Sequence, residues 1–102
     1  MSEVEIARNI LMIWQATNDQ IEKILPADTS HEEQLSKAIQ VISIQKSLEM
    51  TFSNQANVDN FMQMPNHNGF FQGRKPIEVL ASGQLSDLNE IVLRLNRLAD
   101  MW

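Results

Sequence analysis

The side chains best suited to acid–base or nucleophilic work are few. His31 and His67 are the only histidines in 102 residues, and there is no cysteine. His31 stands beside Glu32 and Glu33, but the second histidine that a helical zinc motif supplies is missing. No serine occupies a nucleophile-elbow context, so pairing any serine with either histidine for hydrolysis would be arbitrary. Gly69 and Gly73 ahead of Pro76 have the outline of a phosphate cradle, yet there is no Gly-Lys-Ser/Thr ending and no preceding strand. Without thiols, disulfides and thiolate metal sites are excluded. The expectation is therefore a protein that is not an enzyme and uses neither metal nor cofactor.

Charge bears on the partner. The net charge is −5 and the pI about 4.8. Residues 1–54 hold four cations (Arg8, Lys23, Lys37, Lys46) against eight carboxylates, whereas 55–102 set Arg74, Lys75, Arg94 and Arg97 against five. DNA affinity rests largely on neutralising phosphates, so the acidic first half argues against nucleic acid as the main partner. The segment Thr17 to Leu35 has helix-turn-helix proportions, but its recognition candidate, residues 29–36, presents His31, Glu32, Glu33 and Gln34. Two adjacent carboxylates facing phosphates cost affinity. No apolar run approaches the ~20 residues of a membrane span and the start of the chain is acidic, so a soluble cytoplasmic protein is expected.

Apolar spacing near 3.6 residues runs through the chain with no alternating stretch of strand length, which predicts an all-α fold. Ser2 with Glu5 forms a capping box ahead of a first helix that runs to about Ala16 and carries Ile6, Ile10, Ile13 and Trp14. Thr17 or Asn18 caps a second, Asp19 to Leu25, ended by Pro26. Ser30 with Glu33 caps the longest, to about Phe52. It bears two apolar stripes: Leu35, Ala38, Ile39 and Ile42, and then Val41, Ile44, Leu48 and Phe52. Two stripes mean contact from two sides, so this is the central helix. After a polar break, Ser53 to Asn57, a short turn holds Val58, Phe61 and Met62. A last helix, capped by Ser86, runs from Asp87 to about Trp102 with Leu88, Ile91, Val92, Leu95, Leu98 and Ala99 on its apolar face.

Backbone instruction is concentrated in residues 61–83, which hold all three glycines and two of the three prolines. Pro65 ends the Phe61–Met62 turn. A loop, Asn66 to Lys75, donates Phe70 and Phe71 to the core. Pro76 then opens a helix, Ile77 to Ser82, as an N1 proline, and Gly83 stops it. Met12, Met50, Met62, Met64 and Met101 lie beside apolar faces and serve either as core filler or as an adaptable partner surface. Trp102, beside Met101, either folds back on the bundle or is buried in another chain.

The pattern Phe61, Pro65-Asn66, Phe71 and Gly73, then Pro76-Ile77-Glu78-Val79-Leu80 and Gly83 before an apolar helix resembles the toxin-binding domain of the Xre/MbcA/ParS antitoxins. The resemblance covers roughly residues 58–102, and its most specific part is residues 73–83. The family commonly has Trp where Phe61 stands. It implies a compact bundle of five or six helices in a single domain, residues 1–102. Residues 1–54 would be a degenerate helix-turn-helix-like scaffold and 55–102 the toxin-binding part. It further implies a cognate toxin as partner, usually a RES-domain enzyme that consumes NAD, blocked sterically; homodimers are also implied. On that reading Arg74, Lys75, Arg94 and Arg97 give electrostatic register, while Met101 and Trp102 supply a desolvated anchor. Phe61, Pro65, Phe71, Gly73, Pro76, Leu80 and Gly83 hold the motif's shape. The alternative is a DNA-binding regulator of its own operon, acting as a dimer through the second and third helices.

Overall fold

The computed structural model describes residues 2–67 and 69–101, with side chains as far as Arg97. Among them, the regular structure is entirely helical: α1 (Glu3–Ile13), α2 (Asn18–Ile24), α3 (His31–Thr51), α4 (Gln55–Asn60), a 3-10 turn (Phe61–Gln63), α5 (Pro76–Leu80) and α6 (Leu85–Met101). The all-α expectation is met. Helix α3 is the shared wall, with α1 and α6 as its main packing partners. Its buried Ala38, Val41, Ile44 and Leu48 join Leu11 and Trp14 of α1 and Leu88, Ile91 and Leu95 of α6 in one core. Each large apolar side chain buried there contributes about 1.5–3 kcal/mol.

The caps follow side-chain chemistry. The Ser2 and Ser30 hydroxyls accept the amides of Glu5 and Glu33, both at 3.2 Å. A fully reciprocal box forms at α2. There the Thr17 hydroxyl accepts the Gln20 amide at 3.1 Å, and the Gln20 side chain accepts the Thr17 amide at 2.9 Å.

Helix α1 stops at Ile13, three residues before the expected end. Gln15 takes a left-handed φ of 65°, the Ala16 amide reaches back to the Leu11 carbonyl and the Gln15 amide to that of Met12. This is the Schellman stop, usually made by glycine and here by glutamine. The polar break after α3 is also shorter than expected, because Asn54 caps α4 by accepting the Ala56 amide at 2.8 Å. Helix α5 ends at Leu80 rather than Ser82, and α6 begins at Leu85, so Ser86 lies inside its first turn instead of capping it. The Ser82 hydroxyl bridges the bend, accepting the Gln84 amide at 3.2 Å and donating to the Asp87 carboxylate at 2.7 Å.

The two stripes of α3 are only partly buried. Ile39 is 47% exposed and Leu35 and Ile42 are half-buried, whereas Val41, Ile44 and Leu48 are enclosed. The methionines divide in the same way. Met62 is buried, but Met12, Met50 and Met64 are exposed. Two polar contacts tie the helices side to side. The Trp14 indole N–H donates to Gln45 Oε1 at 2.8 Å, and the Ser47 hydroxyl donates to Asn96 Oδ1 at 2.6 Å.

Candidate functional site

Among the described residues, those from Pro65 to Gly83 are tied together by local backbone and side-chain hydrogen bonds. Their loop is a closed clasp. The Asn66 carbonyl accepts the Gly73 amide at 2.7 Å, and the Asn66 amide donates to the Arg74 carbonyl at 3.0 Å. Closing so tight a circuit needs two successive left-handed residues, Gln72 (φ 53°) and Gly73 (φ 81°). A β-carbon on Gly73 would also press on the His67 ring, 3.3 Å from Nδ1.

Arg74, itself exposed, fastens the clasp. Its Nε donates to the Phe71 carbonyl at 2.8 Å and its Nη2 to the Phe70 carbonyl at 2.7 Å. A planar guanidinium suits this fork, where an ammonium would reach only one carbonyl well. The two phenylalanines meet edge to face, centroids 5.2 Å apart. Their fates differ. Phe71 points into the core, whereas Phe70 stays half-buried at the surface. The expectation that both enter the core is met in part: Phe71 is buried within it, and Phe70 packs against it half-buried, leaving its ring in contact with charge.

That charge is cationic. The Arg94 guanidinium carbon lies 4.9 Å from the Phe70 ring centroid and that of Arg74 lies 6.0 Å from it. Both are within range for attraction to the ring quadrupole. Arg94 also donates from Nε to Glu90 Oε1 at 2.9 Å, one turn back along α6. Arg97, three residues further on, lies next to Arg94 along α6 and is exposed. Lys75 follows Arg74 directly and is half-buried; its backbone amide donates to the Glu78 carboxylate at 3.1 Å, closing the start of α5.

Of the six residues expected to meet a partner, the structure gathers Arg74 and Arg94 at one aromatic ring and sets Lys75 and Arg97 beside them in sequence. The side chains of Met101 and Trp102 lie outside the described residues. Phe70, which organises the cluster, is absent from the sequence-derived set. Its spacing of four from Arg74 is visible in the sequence, but the motif that points to this loop contains Phe71 and not Phe70. Phe61 is half-buried with its ring 5.7 Å from that of Phe52, and Pro65 is exposed. Pro76, Ile77, Val79 and Leu80 are buried, and α5 packs on the 3-10 turn, α6 and α2.

The platform is anchored to the first half of the chain. The Gln63 side-chain amide donates to the Trp14 carbonyl at 2.9 Å and to that of Gln15 at 3.2 Å, covering the free end of α1. Elsewhere, a hollow of about 480 Å³ at the end of α3 is lined by Glu49, Met50, Thr51, Phe52, Ser53 and Asn57. That set offers no acid–base pair. Among the described residues no three side chains are grouped as metal ligands, and no helix is long and apolar enough to cross a membrane.

Residues 47–100 match the family model described as the antitoxin Xre/MbcA/ParS C-terminal toxin-binding domain, which covers more than half of the chain. No curated protein and no solved structure matches it. The matched span opens inside α3 and contains the clasp, the Phe70 cluster, α5 and nearly all of α6. The chain therefore belongs to the Xre/MbcA/ParS antitoxin family, and its second half is that family's toxin-binding domain.

Proposed function

We propose that the chain neutralises its cognate toxin by steric occlusion, presenting the clasp, α5 and α6 as a rigid platform, without catalysis of its own. The observation that carries this reading is the Phe70 ring with the guanidinium carbons of Arg94 and Arg74 at 4.9 Å and 6.0 Å from its centroid, on a loop that is already closed. A surface ordered before binding loses less conformational entropy when it docks, and aromatic and arginine side chains dominate interface energetics. Arg74, Lys75, Arg94 and Arg97 provide register, and Met101 and Trp102 the apolar anchor. The toxin is of the NAD-consuming RES type, the usual partner implied by the family resemblance, and the antitoxin acts as a homodimer. Residues 1–54 serve as scaffold within a single domain.

The autoregulator reading lacks comparable support. The first turn of α3 exposes His31, Glu32 and Glu33, so the end that would meet DNA carries two carboxylates.

Deleting residues 100–102 tests the anchor. The shortened chain is expected to stay folded but to fail to protect cells that co-express the toxin. Continued protection at wild-type level would remove Met101 and Trp102 from the interface.

A further inference from the structure

Resting on that reading of the platform as the toxin face, we infer that the toxin surface it meets is rich in carboxylates, and that Phe70, flanked by Arg74 and Arg94, is the aromatic contact around which those carboxylates gather. The distribution of charge carries this. The chain is acidic overall, yet four of its eight cations fall on the loop and α6. Of the others, Lys23 and Lys37 are paired one turn along their own helices with Asp19 and Glu33.

Cations of the platform are differently placed. Arg74 is hydrogen-bonded to the carbonyls of Phe70 and Phe71, which are neutral, so its geometry is fixed while its charge is left uncompensated by those contacts. Arg94 shares its charge with Glu90, but the guanidinium is also held over the Phe70 ring. Lys75 and Arg97 add two more positive charges. Against them on α5 and α6 stand Glu78, turned toward a backbone amide, Asp87, bonded to Ser82 at the bend, Glu90 and Asp100, so the platform as a whole carries no net charge. The positive charge is instead concentrated at the Phe70 ring, where Arg74 and Arg94 are oriented in advance and Glu90 is the one carboxylate paired with them among the described residues. Such a patch steers an acidic partner into register and disfavours partners of the wrong charge.

Phosphate backbones would be a poorer match. Nucleic-acid affinity grows with the number of cations free to displace counterions, and this platform carries as many carboxylates as cations. A carboxylate-bearing protein surface needs only a few oriented contacts around a central aromatic.

The test uses the full chain and, as probe, the purified polypeptide encoded by the adjacent reading frame. Binding is measured at low and high salt for the wild type, Arg97→Glu, Phe70→Leu and a charge-matched control, Lys46→Glu, whose side chain is exposed on α3. Circular dichroism confirms that each variant is folded. Arg97→Glu is expected to weaken binding about tenfold or more at low salt, with the gap closing as salt rises, because screening removes the difference. Phe70→Leu is expected to speed dissociation about tenfold at both salts, while Lys46→Glu matches the wild type. A complex indifferent to salt, or weakened equally by Arg97→Glu and Lys46→Glu, would overturn the acidic-surface inference and leave the antitoxin reading standing. Failure of the wild type to form any complex would overturn both. Tighter binding of the wild type to promoter DNA than to the polypeptide, lost in Arg97→Glu, would assign the patch to nucleic acid and overturn the inference.

Discussion

A β-carbon placed on Gly83 would lie 2.5 Å from the backbone carbonyl oxygen of Lys23, so the bend between α5 and α6 closes directly onto the last turn of α2. The contact joins the toxin-binding half to the first half of the chain through backbone alone. Gly83 also has a φ of 74°, where side-chain-bearing residues are strained. Gly83→Ala combines that strain with a clash that no rotamer relieves, and is expected to cost about 2–4 kcal/mol. Urea unfolding checks it: the midpoint should fall with little change in slope. A wild-type midpoint would contradict the close approach of Gly83 to the Lys23 carbonyl.

Gln63 also ties the two halves together. Gln63→Ala removes both donors to the Trp14 and Gln15 carbonyls and is expected to cost about 1–2 kcal/mol. Gln63→Glu should be worse, since a carboxylate would face two carbonyl oxygens at the negative end of α1. Thermal melts rank the two, and the reverse order would contradict the bridge.

Much of the fold was legible because local chemistry and tertiary packing agree at most helix ends. Ser2, Ser30 and Pro76 start helices, and Gly83 stands at the bend, for reasons visible in a few residues. The end of α1 was not legible. Its left-handed residue is Gln15, which has none of the usual preference for that conformation, and the stop is supported by Gln63, 48 positions away. The start of α6 was missed because Ser82, not Ser86, supplies the hydroxyl that spans the bend. The site was half legible. Its cations were identified by type, but Phe70 and Phe71 look alike in sequence, and only packing separates the core ring from the one flanked by arginines. Ile39 illustrates the opposite failure: helical spacing placed it on a buried stripe, yet α1 and α6 leave it exposed.

Arg74 closes the clasp with a fork that lysine cannot reproduce. In Arg74→Lys the backbone amides of residues 73 and 74, which donate to the carbonyls of Asn66 and Phe71, are expected to exchange with solvent about tenfold faster, as loss of a charged hydrogen bond implies. Exchange monitored by NMR checks this. Unchanged protection would show that the backbone bonds close the loop unaided.

Lys37 is a buried cation, 5% exposed, whose ammonium lies 3.6 Å from Glu33. Removing a charge from water costs more than a long, partly solvated pair returns. Lys37→Met is therefore expected to leave the melting temperature unchanged or to raise it. A loss of about 2 kcal/mol or more would show that the ammonium is an essential part of the packing.

The central claim is that the clasp and α6 form the surface that meets the toxin. Hydrogen exchange of the full chain, alone and with the polypeptide encoded beside it, tests this most directly. The account predicts new protection across residues 69–75 and along the second half of α6, with the first turn of α3 unchanged. Protection confined to α2 and the start of α3, with the Phe70 loop as open as in the free chain, would contradict it.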